Sequence, residues 1–138
     1  IMPRRAKAGF QLAPVIIHQT YSLAADCVSG NFFIADRDYE VAEISCSWDV
    51  PSSSGTLQIQ RLQSTEAPAA GDDLLAAPVD LSAADDTVTR PALTATPRFL
   101  RLSRGDRLAA EFGGTVTSQV ALTITVVLIP TGQNLRAY

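Results

Sequence analysis

From Leu100 to Leu128 apolar and polar residues take turns with a period of two. Leu100 and Leu102 alternate with Arg101 and Ser103, and Leu108, Ala110 and Phe112 alternate with Arg107, Ala109 and Glu111. Successive side chains of a strand point to opposite faces, so this pattern predicts half-buried strands. Between the two runs, Ser103-Arg104-Gly105-Asp106 supplies a Gly and an Asp that tolerate positive φ, which predicts a tight hairpin. Beyond Gly113-Gly114 a longer strand is predicted. Val116, Val120, Leu122, Ile124, Val126 and Leu128 lie on one side of it, and Thr117, Thr123 and Thr125 on the other. Its β-branched residues are stiff at χ1 and oppose a helix.

A second clear alternation starts at Tyr39. Ala42, Ile44, Cys46, Trp48 and Val50 should face the core, and Val41, Glu43, Ser45, Ser47 and Asp49 the solvent. Trp48 is thereby a predicted core residue. The segment Pro14–Leu23 is rich in Val, Ile and Tyr and reads as a strand, with Pro14 suited to its first position or to a sheet edge. Phe32–Asp36 is a short apolar run. Leu57 and Ile59 share a face while Leu62 falls out of phase, which predicts a bulge or an interface contact near Arg61. Turn signals at Pro51–Gly55, Thr65–Gly71, Asp85-Asp86, Pro91 and Pro97 recur at about the spacing expected of a sandwich or barrel. No segment carries a convincing helical pattern. The expected organisation is all-β: a single antiparallel β-sandwich over residues 14–130, an extended N-terminal arm over 1–13 and a C-terminal tail over 131–138.

A chain of 138 residues suits one domain, and at that size roughly two-thirds of the unfolded surface can be buried without help from metals or disulfides. The formal charge of -3 is mild and speaks against a nucleic-acid partner. No apolar run approaches the roughly 20 residues of a membrane-spanning helix, so no membrane partner is expected. The first residues lack the apolar stretch of a secretion signal, and Ile1 ahead of Met2 suggests either that Met2 is the intended start or that the chain is trimmed. Arg4, Arg5 and Lys7 come before any acid, the first being Asp26. That charge suits either a solvated arm or an arm that docks on an acidic partner surface. Cys27 and Cys46 are expected to be free thiols, with Cys46 buried on the apolar side of its strand.

Chemistry is sparse in the pattern. His18 is the one histidine, which leaves no His-rich or Cys/His metal site and no partner set for a nucleophilic triad. Asp72-Asp73 and Asp85-Asp86 match no calcium loop and read as solvated turn acids. Asp36, Asp38, Glu40, Glu43 and Glu111 could converge in space, but nothing in their spacing singles out a catalytic pair. Arg104-Gly105-Asp106 spells the tripeptide that integrins read, in a place where a turn is needed anyway. Gly113-Gly114 has no third glycine, no lysine and no ensuing helix, and reads as a turn. The expectation is a non-enzymatic protein with no catalytic residues, no metal and no cofactor.

The succession Phe33–Val41, Ala67–Leu75, Leu93–Thr96, Leu102–Leu108 and Phe112–Thr115 resembles a family of small virion proteins of tailed phages, the capsid decoration or cement proteins. The likeness runs from about Phe32 to Pro130 and rests on fold motifs. It implies a compact, jelly-roll-like antiparallel sandwich on the outer surface of a phage head, where it binds the major capsid protein and stabilises the lattice. Arg4, Arg5 and Lys7 of the arm would contribute to capsid binding. The alternative is a tail or head-fibre β module that recognises a receptor or glycan, for which Tyr21, Tyr39 and Tyr138 are the candidate platforms. Val127 and Ile129 stand on the outward side of the last strand, a poor choice for water, and are expected to form a subunit interface. Decoration proteins of this kind often sit as trimers at three-fold points, so a homotrimer is expected.

Overall fold

The computed structural model describes residues 13–131. Among these residues nine strands form two antiparallel sheets: β1 (Val15–Leu23), β2 (Gly30–Ile34), β3 (Tyr39–Ser47), β4 (Thr56–Leu62), β5 (Asp72–Asp73), β6 (Val79–Asp80), β7 (Arg101–Leu102), β8 (Arg107–Gly113) and β9 (Val120–Pro130). One sheet runs β1-β9-β3-β7, and the other β2-β8-β4-β5 with β6 also on β4. The chain passes from sheet to sheet at nearly every connection, which is the wrapping of an eight-stranded jelly roll with its fifth strand broken into β5 and β6. The expected sandwich is therefore observed. The helical content among the described residues is two 3-10 turns, Ala24–Asp26 and Pro97–Leu100.

The inner faces meet in one core. Ile44, Cys46 and Trp48 from the β3 side, Leu57 and Ile59 from β4, Leu108 and Ala110 from β8, and Leu122, Ile124, Val126 and Leu128 from β9 are all buried. Burying a large aliphatic side chain contributes about 1.5 to 3 kcal/mol, so these alternating rows dominate the stability of the domain. Trp48 is 1% exposed and donates its indole N–H to the Ala83 carbonyl at 3.3 Å, which satisfies its single polar atom. Cys27 and Cys46 are both free thiols, and burial pushes that of Cys46 up to about 11.

Three sequence expectations are corrected. The turn Ser103–Asp106 does form, with Gly105 at φ +94° and the Asp106 carboxylate accepting the Ser103 N–H, but it is no hairpin. β7 pairs with β3 while β8 pairs with β2 and β4, so the turn is a corner that carries the chain between sheets. Alternation reports which face is buried and says nothing about the partner. Within β3 the register against β9 shifts between Val41 and Glu43. This bulge inserts Ala42 as an extra residue, so Val41 turns inward and Ala42 outward, the reverse of the simple alternation; Val50, past the strand end, is 40% exposed. β4, conversely, has no bulge: its register with β8 is continuous from Thr56 to Leu62. Leu62 is out of phase because both faces of β4 are buried, the outer one beneath the loop that follows, where the Ala69 N–H donates to the Gln60 side chain.

Candidate attachment surface

The outer face of the β1-β9-β3 sheet carries a group of neighbouring apolar residues that the core does not use. In the pairing of β1 with β9, Ile16 lies opposite Val127; in that of β3 with β9, Glu43 lies opposite Val127 and Glu40 opposite Ile129. Val127 and Ile129 are half-buried, Ala42 is exposed and Ile16 is 56% exposed. These four form an apolar patch at the end of the sheet where β1 begins and β9 ends, bordered by the carboxylates of Glu40 and Glu43. Glu43 is held by Arg90 at 2.8 Å. Further along the same face the rows turn polar: His18 bonds Thr125 at 3.3 Å, and Thr20 meets Thr123 at 3.4 Å. An apolar centre beside a hydrogen-bonding rim is the usual anatomy of a protein-binding surface.

Val127 and Ile129 thus lie on the outward side that the alternation predicts, and no second sheet covers them among the described residues. Ile16 was missed because the Val15-Ile16-Ile17 run hides its alternation; the exposed His18 and Thr20 in register with it were the available signal. β1 is an edge strand, paired with β9 alone among the described residues, and Pro14 precedes it directly. Arg4, Arg5 and Lys7 lie outside the described residues, as does Tyr138.

The remaining candidates resolve into structural roles. Tyr21 and Tyr39 are 7% and 4% exposed and belong to the core, so neither offers a platform for a sugar ring. Burial pushes the Tyr21 phenol up to about 12. Asp72 pairs with Arg61 at 2.6 Å, and Asp73 accepts from Gln60 at 2.8 Å, which accounts for both carboxylates. Asp36 bonds Tyr39 and Arg37, and Asp38 accepts the Arg104 N–H. Glu111 sits on β8 in the other sheet, apart from Glu40 and Glu43 on β3. The Asp106 side chain of Arg104-Gly105-Asp106 is tied into the corner rather than presented. No group of three or more metal-ligating side chains occurs among the described residues.

No protein-family model matches the chain, and no curated relative does. Two solved structures are similar. One is of Bacillus endospore appendages, described as a novel family of disulfide-linked pili, at 11% identity over 87% of each chain with a TM-score of 0.36. The other is a chain of the infectious bursal disease virus Gx strain, at 16% identity over 89% of this chain and 34% of that one, with a TM-score of 0.39. This chain spans about a third of the viral chain. At such scores neither likeness bears on function.

Proposed function

We propose that this protein is a non-enzymatic decoration protein, which binds the outer surface of a phage head through the β1-β9-β3 face, contacts the major capsid protein and stabilises the capsid lattice. The observation that carries this reading is the Ile16, Val127, Ile129 and Ala42 patch on a rigid sheet. Such a patch finds a partner by removing apolar area from water. The motif succession from Phe33 to Thr115 supports the virion assignment, and the jelly-roll topology is compatible with it. A protein that binds the expanded shell and not its ruptured form shifts the balance towards the intact particle by mass action. In this reading Val127 and Ile129 meet a neighbouring copy in a homotrimer around a three-fold point, and the rest of the face meets the shell.

The test is stoichiometry and occupancy. Purified virions should contain the chain in copies comparable to the major capsid protein, and emptied shells should take up added protein to saturation. Replacing Val127 and Ile129 together with Lys should abolish uptake. A handful of copies per particle, or unchanged uptake by the double variant, would refute the proposal. The glycan-recognition alternative loses its support with Tyr21 and Tyr39 in the core.

A further inference from the structure

The edges of the two sheets are not protected alike. β7 at one end of the first sheet and β5 and β6 at one end of the second are two-residue strands, and β2, at the other end of the second, is five residues long with its register broken between Asn31 and Phe33. β1 has none of these defences. It runs for nine residues, VIIHQTYSL, in unbroken register with β9 from Val15 to Leu23, without Lys, Arg, Asp, Glu or an internal Pro. A long edge of this kind presents a row of unpaired backbone N–H and C=O groups, a template for one more strand.

The side chains around this edge are apolar and nearly uncharged. Six large apolar residues are exposed among the described residues, and four of them, Ile16, Leu23, Val28 and Ile34, lie on β1, on β2 or between the two. The sheet orders set β1 and β2 at corresponding edges of the sandwich, so these four share one flank. From 15 to 35 the chain contains one carboxylate, Asp26, which accepts the Leu23 N–H at 3.1 Å, and no Lys or Arg. We propose that a second copy of this chain covers the flank, its β1 pairing antiparallel with the first across a two-fold axis at Gln19, so that the two four-stranded sheets become one continuous sheet.

Register and reach select this occupant. Centred on Gln19, the pairing uses all nine residues of both strands: Val15 meets Leu23 and Ile17 meets Tyr21 on the inner side, while Ile16 meets Ser22 and His18 meets Thr20 on the outer. The Leu23 of each copy, 57% exposed, gains the half-buried Val15 of the other. The molecule's own arm cannot take this place. Running back along β1 demands a tight reversal, and before β1 the chain has Gly9 as its one glycine and no Asn or Asp. Reversed there, the residues ahead of Gly9 reach no further than about His18, put Pro3 into the ladder and bring three cations to an edge without a carboxylate. The tail after 130 leaves β9 two strand spacings from the free edge, roughly 10 Å, which consumes about three residues and leaves too few to line a nine-residue strand. The contact is isologous and closes at two copies. It uses the backbone edge, leaves Val127 and Ile129 on the outer face for the trimer contact, and stands without the virion reading.

Sedimentation of the full-length chain at rising concentration tests this, with charges placed around the axis. One variant carries His18→Lys and Thr20→Lys, and another His18→Glu and Thr20→Glu; both side chains are exposed, so the fold should stand, which unchanged circular dichroism checks. The parent should dimerise and each variant alone should do so at least about tenfold more weakly, whereas an equimolar mixture should recover dimers because Lys then faces Glu across the axis. Molecules with His18→Cys mixed with molecules with Thr20→Cys should form a disulfide faster than either does alone, since directly opposed residues of an antiparallel pair hold their Cα atoms about 4.5 to 5.5 Å apart, within disulfide range. Val127→Lys/Ile129→Lys should leave the dimer intact. The proposal is overturned by a parent chain that stays monomeric, by dimers unchanged in both charge variants, or by a mixture no better than its components. Slow exchange at successive β1 amides in a monomeric parent would assign the edge to the chain's own terminal residues. Dimers lost in Val127→Lys/Ile129→Lys yet intact in both charge variants would equally overturn the proposal, and would leave the outer sheet face as the self-association surface.

Discussion

The β1-β9-β3 sheet and the segment 63–106 enclose the same core by different means. In the sheet, long strands pair over many residues, and their inner rows are apolar apart from Gln19 of β1. Between β4 and β8 the chain forms two-residue strands, and side chains of those two long strands do much of the holding. Gln58 accepts the Leu75 N–H at 3.0 Å and donates to the Leu75 carbonyl at 3.3 Å. Arg61 donates to Asp72 and to the Arg98 and Arg101 carbonyls, and Arg107 donates to those of Ser64 and Glu66. A backbone too irregular for a ladder still needs its buried polar groups paired. Here glutamine and arginine side chains pair them, so the irregular half depends on a few polar residues as the regular half depends on its apolar rows.

The largest effect should come from Trp48, where the two regions meet. Trp48→Ala removes the biggest buried side chain and the anchor of Ala83 and Asp86, and should cost about 3 to 5 kcal/mol in equilibrium unfolding. A loss below about 1 kcal/mol would show that the sheet does not depend on this residue.

Gln58→Ala separates the two regions. The side chain is 5% exposed, and its loss leaves the Leu75 N–H and carbonyl without these partners, at a cost of about 1 to 3 kcal/mol. Amide exchange should accelerate across 72–93 and stay slow in β9. Uniform acceleration in both would mean that the irregular half has no separate stability.

This division also explains what the sequence could and could not convey. β3 and β9 were legible because one face is buried and the other is more open, β8 through its alternating apolar row although Ala109 on its other face is buried too, and the outward placement of Val127 and Ile129 followed from the same alternation. The β3 bulge at Ala42 was not, since Val41 and Ala42 are both apolar and either could face inward. The corner at Gly105 passed for a hairpin because turn chemistry is local while strand pairing is not. β4 looked out of phase because its second buried face contains Gln58 and Gln60, whose burial depends on partners more than ten positions away in Leu75 and Asp73. Ile16 joins the patch through its cross-strand register with Val127, which no single-strand pattern contains.

Replacing Val127 and Ile129 with Lys should change monomer stability by less than about 1 kcal/mol, because both side chains lie on the outward face and Lys can carry its charge into water. Its consequence should appear in binding alone, as lost uptake by shells. Loss of the folded state on this substitution would show that the outer face is part of the fold's own support.

The smallest effect concerns the turn between β2 and β3. Tyr39 donates its phenol O–H to the Asp36 carboxylate, which lowers the pKa of Asp36 with help from the Arg37 charge. Burial, with the Asp36 hydrogen bond, raises that of Tyr39. A carboxyl whose folded pKa is depressed adds stability above its unfolded value, about 3.9, and that contribution fades as pH falls through the folded value. A phenol whose folded pKa is raised adds stability below its unfolded value, about 10, which is lost as pH rises through the folded one. Asp36→Asn should therefore flatten the thermal midpoint against pH on the acid side while lowering it slightly near neutrality. Tyr39→Phe should do the same on the acid side and remove this residue's alkaline loss as well. Because Asp36 is exposed, the part due to Arg37 should shrink in high salt, while the part due to Tyr39 should survive. An acid limb that is identical in the parent and both variants would show that the corner adds nothing to the pH dependence of the fold.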